Sequence, residues 1–332
     1  MDNKKEKFIN VDNLIHYMVY IETIRRGKKN FYYLTQTLRE GKKFRKIRRL
    51  LGKGKISQDK LKKLAKQAEP GLKKQINEAK TIKNILDLDT KTKNELADVK
   101  KNYQKIIEKL SPIEYQVIEK QHLINFTFNT NALEGSTITL KETAHILEDN
   151  IAPGGKEIRE IHEIENTKIT YEFMKKYKGK VSIKFIKQIH YNLTFNILKE
   201  QAGKFRAIQV YMGGSKHTPT KPYEVEKEMR NFMRWIASHK KLYPVLLAVY
   251  AHHFFIAIHP FIDGNGRTGR LLLNYMLMKS GFPPICIRLG ERIKYTDYLE
   301  NARDGDISDF VNFIVQKIKE AHKEIVDNTK YK

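Results

Sequence analysis

His259-Pro260-Phe261-Ile262-Asp263-Gly264-Asn265-Gly266-Arg267-Thr268-Gly269-Arg270 is the stretch that decides how this chain is read. An almost wholly apolar run, Leu242 to Ile258, leads into it, and a helix-forming run, Arg267 to Met278, leads out. Gly264, Asn265 and Gly266 supply a turn able to take positive φ. The N–H groups of the helix that follows point out of its N-terminus, where an anion meets both donors and the positive end of the dipole. Arg267 and Arg270, three apart, fall on one helix face and can each fork onto phosphate oxygens. Asp263 stands one residue ahead of the turn. It is placed to hold a hard cation, Mg²⁺ or Mn²⁺, by one carboxylate while phosphates and water complete the shell. His259 precedes Pro260, which biases it to an extended conformation, and its imidazole titrates near neutral pH and can accept a proton from an attacking hydroxyl. Phe261 reads as the anchor of the loop in the core. No lysine follows in the Walker arrangement, which excludes a P-loop.

The stretch resembles the signature of the Fic domain family, H-x-F-x-D/E-G-N-G-R-x-x-R, and matches it at every defined position. The resemblance implies a mostly α, Fic-type helical bundle with a short β-hairpin flap, covering about 111–320, similar in its core to the metazoan endoplasmic-reticulum-type Fic enzymes. It implies transfer of AMP from Mg·ATP to a Ser, Thr or Tyr hydroxyl of a protein. His259 would deprotonate the hydroxyl and Asp263 would hold the metal. Gly264, Asn265 and Gly266 would cradle the phosphates, and Arg267 and Arg270 would neutralise the departing pyrophosphate. The hexad Thr130-Asn131-Ala132-Leu133-Glu134-Gly135 resembles the family's inhibitory motif, S/T-x-x-x-E-G/N, in the class where the inhibitory helix, here about 112–134, precedes the core. Glu134 would then pair with Arg270 and occupy the place of the γ-phosphate. In some relatives with this glutamate the same site also removes AMP. Read without the resemblance, the hexad is a helix C-terminus with Gly135 just past its end.

Net charge is +25, and it is uneven, since residues 1–110 hold 30 Lys and Arg against 13 Asp and Glu. Domains are expected at 1–110, a basic module, and 111–320, the Fic core, with a tail at 321–332. Aromatic and polar residues alternate over 28–54 around Glu40-Gly41-Lys42, which predicts a basic β-hairpin. Ser57 caps a helix that Pro70-Gly71 should stop, and lysine-rich helices follow at about 72–86 and 91–110. The basic hairpin could grip nucleic acid, a ribosome or an acidic protein, which makes nucleic acid a candidate partner. A rival function of a different class is therefore a nucleic-acid-binding regulator whose core only senses nucleotide. A second rival keeps the fold and uses another nucleotide donor.

One cysteine, Cys286, excludes an intrachain disulfide and suits a reducing compartment. With no signal-peptide pattern and no apolar run of spanning length, a cytoplasmic protein with no membrane partner is expected. The other expected partners are ATP, a protein substrate, the chain itself as a target, and a second copy, because relatives are often dimers.

Ser111-Pro112-Ile113-Glu114 and Thr139 with Glu142 are capping boxes, and Ser182 is a further cap. His162, Glu163 and Glu165 read as a solvated helix face, and His252 as a satisfied core histidine. Lys204 to Met212 with Gly213-Gly214 reads as the flap hairpin. Its edge would align a target segment by strand addition, with Val210 and Tyr211 touching the target. The last helices are expected at Tyr295–Ala302 and Ile307–Ile318. Arg303 stands where several relatives carry an Asn that helps hold the nucleoside, and Tyr295 is the expected base-stacking partner.

Overall fold

The structure, a computed structural model, describes residues 19–27, 29–40, 43–85, 87–213 and 215–329. They fall into two compact units, Met1–Asn84 and Ile85–Lys332.

In the first unit β1 (Val19–Arg26), β2 (Lys29–Glu40) and β3 (Lys43–Lys53) pair antiparallel in sequence order. The hairpin read at 28–54 corresponds to β2 and β3, although Gly41 and Lys42 of its turn lie outside the described residues. β1 is an additional strand. Apolar residues sit on both of its faces (Val19 and Ile21 on one, Tyr20 and Ile24 on the other), so it lacks the alternation that marks a half-buried strand. Val19, Ile21, Leu34 and Ile47 pack with Ala65, Ala68 and Leu72 of α1 (Gln58–Ile85), and Leu34 and Leu72 are 4% and 1% exposed. This packing corrects the expected stop at Pro70-Gly71, because α1 runs through both residues. Proline forfeits one backbone hydrogen bond, but the buried Leu72 lies just beyond it. A side chain on Gly71 would meet the guanidinium end of the Arg49 side chain from β3.

The second unit is helical. Its first member, α2 (Thr90–Lys109), packs on α11 (Ser308–Thr329) and puts Leu96 and Val99 into the main core. The unit therefore begins at Ile85 rather than at 111. α3 (Pro112–Ala132) and α4 (Leu140–Asp149) open on the two capping boxes read from the sequence, and α6 (Ile183–Thr194) on Ser182. α5 (Ile158–Lys176) packs between α3, α4 and α6. α7 (Pro222–Ser238) leads to α8 (Pro244–Ile258), which is apolar on every face and buried almost throughout, as such a helix must be. α9 (Asn265–Lys279) returns along α8, and α10 (Arg292–Arg303) precedes α11. The expected tail from 321 is instead the end of α11. Its buried positions stop at Ile318, and the extension carries ion pairs such as Glu324 with Arg288 rather than apolar burial, so hydropathy does not signal it. No helix among the described residues is long and apolar enough to cross a membrane.

The flap differs most from its reading. The described residues of 204–221 contain no strand. Buried Arg206 organises the segment instead, donating from Nε to the His259 carbonyl (2.8 Å), from Nη1 to that of Ile208 (2.9 Å) and from Nη2 to that of Thr220. These bonds tie both ends of the excursion to one guanidinium, where a hairpin would use a ladder. Gly214 lies outside the described residues.

If Leu72 is the anchor that carries α1 past Pro70, Leu72→Ala should cost about 2–5 kcal/mol. Hydrogen exchange should then speed up in residues 19–85 and leave α8 and α9 protected.

Candidate functional site

The site is built on the turn from α8 to α9. His259 closes α8 in the left-handed region, φ 52° and ψ 61°, with its N–H on the Phe255 carbonyl at 3.0 Å. The extended conformation expected ahead of Pro260 is therefore not the one adopted. Tertiary bonds hold the alternative: Arg206 donates to the carbonyls of both His259 and Pro260, through Nε (2.8 Å) and its backbone N–H (3.0 Å). A non-glycine residue held at positive φ at a candidate site is strain maintained by its surroundings.

Phe261 is fully buried, and the His190 ring stacks on it, 3.7 Å between centroids and 5° from coplanar. His190 accepts the Gly203 N–H at Nδ1 (2.9 Å), which leaves Nε2–H to donate to the Asp263 carbonyl (3.0 Å). Asn265 closes the loop from within. Its Oδ1 accepts the Phe261 N–H and its Nδ2 donates to the Phe261 carbonyl, both at 2.9 Å. The Asn265 side chain is thus spent on the turn, and only its backbone N–H remains for an anion. Gly264 has φ 72° and caps α9, whose first internal bond runs from Thr268 N–H to the Gly264 carbonyl (3.0 Å). The N–H groups of Asn265, Gly266 and Arg267 precede that bond and have no partner within the helix.

The two arginines of the motif have different surroundings. Arg270, 4% exposed, donates from Nε to Thr130 Oγ1 (2.8 Å) and from Nη2 to the Thr130 carbonyl (2.8 Å) and Glu134 Oε1 (2.6 Å). The Glu134 carboxylate lies directly over Gly266, where a Cβ would collide with it. Gly135, at φ 103°, turns the chain away after the glutamate. Burial pushes the Glu134 carboxyl up and Arg270 pulls it down further, leaving it below its ordinary value and ionised.

Arg267 is turned inward, 2% exposed, with Nη1 on Glu163 Oε1 at 3.1 Å. Its Nη1 also reaches Asn131 Oδ1 at 3.4 Å, and its Nη2 lies 4.0 Å from Asp263 Oδ2. Glu163 is accordingly not on a solvated face, as the sequence suggested. It is buried and also takes Arg159 Nε at 3.1 Å, whereas His162 and Glu165 form an exposed pair.

Asp263 accepts the Gly264 N–H at Oδ1 (2.6 Å) and Arg159 Nη2 at Oδ2 (2.5 Å). Burial raises its pKa, but Arg267, the Gly264 N–H and Arg159 outweigh this and hold it below the usual range. Among the described residues no three His, Cys, Asp or Glu side chains gather as a metal site. One exposed-edge carboxylate beside a helix N-terminus nevertheless fits Mg²⁺, which keeps waters and uses substrate phosphates for most of its shell.

The comparisons with known proteins agree with this geometry. Residues 180–277 match the Fic/DOC family model. Over those residues the chain is similar to Fic domains. The protein adenylyltransferase Fic of Drosophila persimilis is 39% identical over 201 residues, which cover 59% of this chain and 39% of that protein. Its Drosophila melanogaster counterpart is 38% identical over the same length. The chain thus spans about two fifths of the length of the curated relatives it matches. Among solved structures, a Fic domain containing signaling protein from Bacteroides thetaiotaomicron superposes with a TM-score of 0.65 at 24% identity, covering 73% of this chain and 97% of that one. Fic-1 from Caenorhabditis elegans gives a TM-score of 0.65 at 26% identity, covering 83% and 79%.

Around the turn, other expected residues fall in different places. His252 is fully buried in the core, its Nε2 2.8 Å from the Tyr295 hydroxyl. Tyr295 is therefore not a base-stacking surface. It is 6% exposed and lies against His252 and Phe310. Arg303 bonds Glu300 and reaches Ser215 Oγ (3.2 Å) and Met212 Sδ (3.2 Å), so it holds the 212–215 segment to α10. Val210 is half-buried and Tyr211 is 83% exposed on that excursion. Cys286 is partly buried, and burial pushes its thiol up to about 12.

Five histidines of this unit, His122, His190, His252, His253 and His259, are pulled by burial from 6.5 to between about 3 and about 4. In the unfolded chain they bind protons near 6.5, which the folded state refuses until about 4. Stability should therefore be full above pH 7 and fall as pH drops from 6.5 to 4, which calorimetric Tm values across that range would check.

Proposed function

We propose that this Fic domain is a protein adenylyltransferase that moves AMP from ATP to a protein hydroxyl and is restrained by Glu134. The observation that carries the reading is the pairing, at one helix N-terminus, of a neutral imidazole with an arginine already held by a carboxylate. The name of the curated relatives, protein adenylyltransferase, supplies the reaction class.

In this reading the target hydroxyl oxygen attacks the α-phosphorus in line, the bond from that phosphorus to the pyrophosphate oxygen breaks, and the hydroxyl proton passes to His259. The Nδ1 of His259 faces the Ile256 carbonyl at 3.4 Å, which favours the tautomer with the proton there and leaves Nε2 as the basic nitrogen. Burial lowers the His259 pKa to about 4, and the Arg303 charge acts in the same direction, so the base is unprotonated at neutral pH. The free N–H groups at the start of α9 lie where the phosphates would rest, and Arg270 would neutralise the pyrophosphate as charge builds on it. Asp263 would hold Mg²⁺, whose contribution is to offset phosphate charge. The excursion carrying Val210 and exposed Tyr211 would receive the target segment.

Arg270 cannot serve the nucleotide while Thr130 and Glu134 use its Nε and Nη2. Removing the carboxylate frees a charge-assisted bond of about 1.5–3 kcal/mol, so Glu134→Gly should raise self-labelling from ATP labelled at the α-phosphate about 10- to 100-fold. Adding His259→Ala should lower it again by about 10²- to 10⁴-fold. Intact-mass analysis would read the gain of one AMP, and no gain in Glu134→Gly with nucleotide bound would overturn the assignment. With His259 titrating near 4, the rate of the Glu134→Gly form should stay level between pH 6 and 8, with its acid limb below about 5.

A further inference from the structure

Asp263 is bonded at both oxygens, and the two bonds differ in kind. Oδ1 accepts the Gly264 N–H at 2.6 Å, a contact internal to the turn. Oδ2 accepts Arg159 Nη2 at 2.5 Å, from α5 and 104 residues away in sequence. The Arg267 guanidinium stays 4.0 Å from the same oxygen. Oδ2 is thus the oxygen with no backbone commitment, the one a cation arriving with a nucleotide would take, and it already carries a positive group.

The pair is placed to part. The Arg159 and Asp263 side chains are 51% and 42% exposed, so separating them unpacks no core. Arg159 would stay attached to Glu163 through Nε, and Glu163 would keep the buried Arg267 as its second partner. The turn does not depend on Arg159 either, because Asn265, His190 and Arg206 hold its backbone.

We propose that Arg159 is a tethered cation that occupies the metal-binding oxygen of Asp263 in the resting state, so that a divalent cation must displace it to bind. The proposal rests on the transferase reading and adds a second restraint to it. Glu134 fills the phosphate arginine with a carboxylate, and Arg159 fills the metal carboxylate with a guanidinium.

The test uses the full chain, a non-hydrolysable ATP analogue and Mn²⁺ as the probe, with free Mn²⁺ counted by electron paramagnetic resonance. Arg159→Ala, and Arg159→Met, which keeps the apolar stem should truncation unsettle α5, should each lower the Mn²⁺ concentration for half-saturation about two- to fivefold, the range for an ion pair this exposed. Arg159→Lys, with the charge kept and the fork lost, should fall between these variants and wild type. Nucleotide binding measured in EDTA should be unchanged, since the competition concerns the metal alone.

An unchanged or raised Mn²⁺ requirement in both truncated variants overturns the proposal. So does a loss of metal-free nucleotide binding, which would make Arg159 a phosphate ligand. Asp263→Asn separates the two readings: it should weaken Mn²⁺ binding and abolish the effect of Arg159. Mn²⁺ binding indifferent to Asp263→Asn would remove this proposal, while AMP transfer by the Glu134→Gly form would still decide the transferase reading.

Discussion

The turn between α8 and α9 must reverse the chain between two buried helices within a few residues. A reversal that short brings backbone groups into the core, where each needs a partner. Asn265 answers this for Phe261 by meeting both its N–H and its carbonyl. His190 and Arg206 answer it for the carbonyls of Asp263, His259 and Pro260. The side chains around the turn are therefore occupied with backbone, and what remains free is the small set of N–H groups at the helix start.

Charge arrangement follows from the same geometry. A helix N-terminus with buried Arg267 and Arg270 behind it is strongly positive, and carboxylates of the chain itself offset that charge. Glu134 and Thr130 take Arg270, and Glu163 takes Arg267. Asp263 meets Arg159 at the rim. Breaking a buried pair by removing one partner leaves an uncompensated charge, whereas exchanging one partner for another does not. Glu134 and Arg159 are half-exposed, whereas Arg267 and Arg270 are buried.

Legibility from sequence followed the range of the interaction. Caps were legible because Ser111, Thr139 and Ser182 act on residues three positions away. The buried α8 was legible because every face is apolar, and the Gly264-Asn265-Gly266 turn because glycine there answers a local need. The flap was misread because its alternating residues suggested a ladder, whereas one buried arginine holds the segment. Pro70 was misread as a stop because local preference favours one, whereas Leu72 gains its burial from a sheet contact. Tyr295 was misread because an aromatic residue near a nucleotide motif suggests stacking, and only packing against His252 and Phe310 shows it to be interior.

The sequence by itself determined the helical class of the larger unit, the basic hairpin ahead of it, and the candidate chemistry of His259, Asp263 and Arg270. These depend on residue type and short spacing, which is what a chain carries before it folds. The tertiary structure decided which charges meet. Glu134 reaches Arg270 across 136 residues, and Arg159 reaches Asp263 across 104. It also decided that His259 takes positive φ despite Pro260, and that Arg267 pairs with Glu163 while Arg270 pairs with Glu134. The reason is one of range: an ion pair needs only a few ångströms of space and no particular sequence separation, so its partners are fixed by how helices pack rather than by any pattern along the chain.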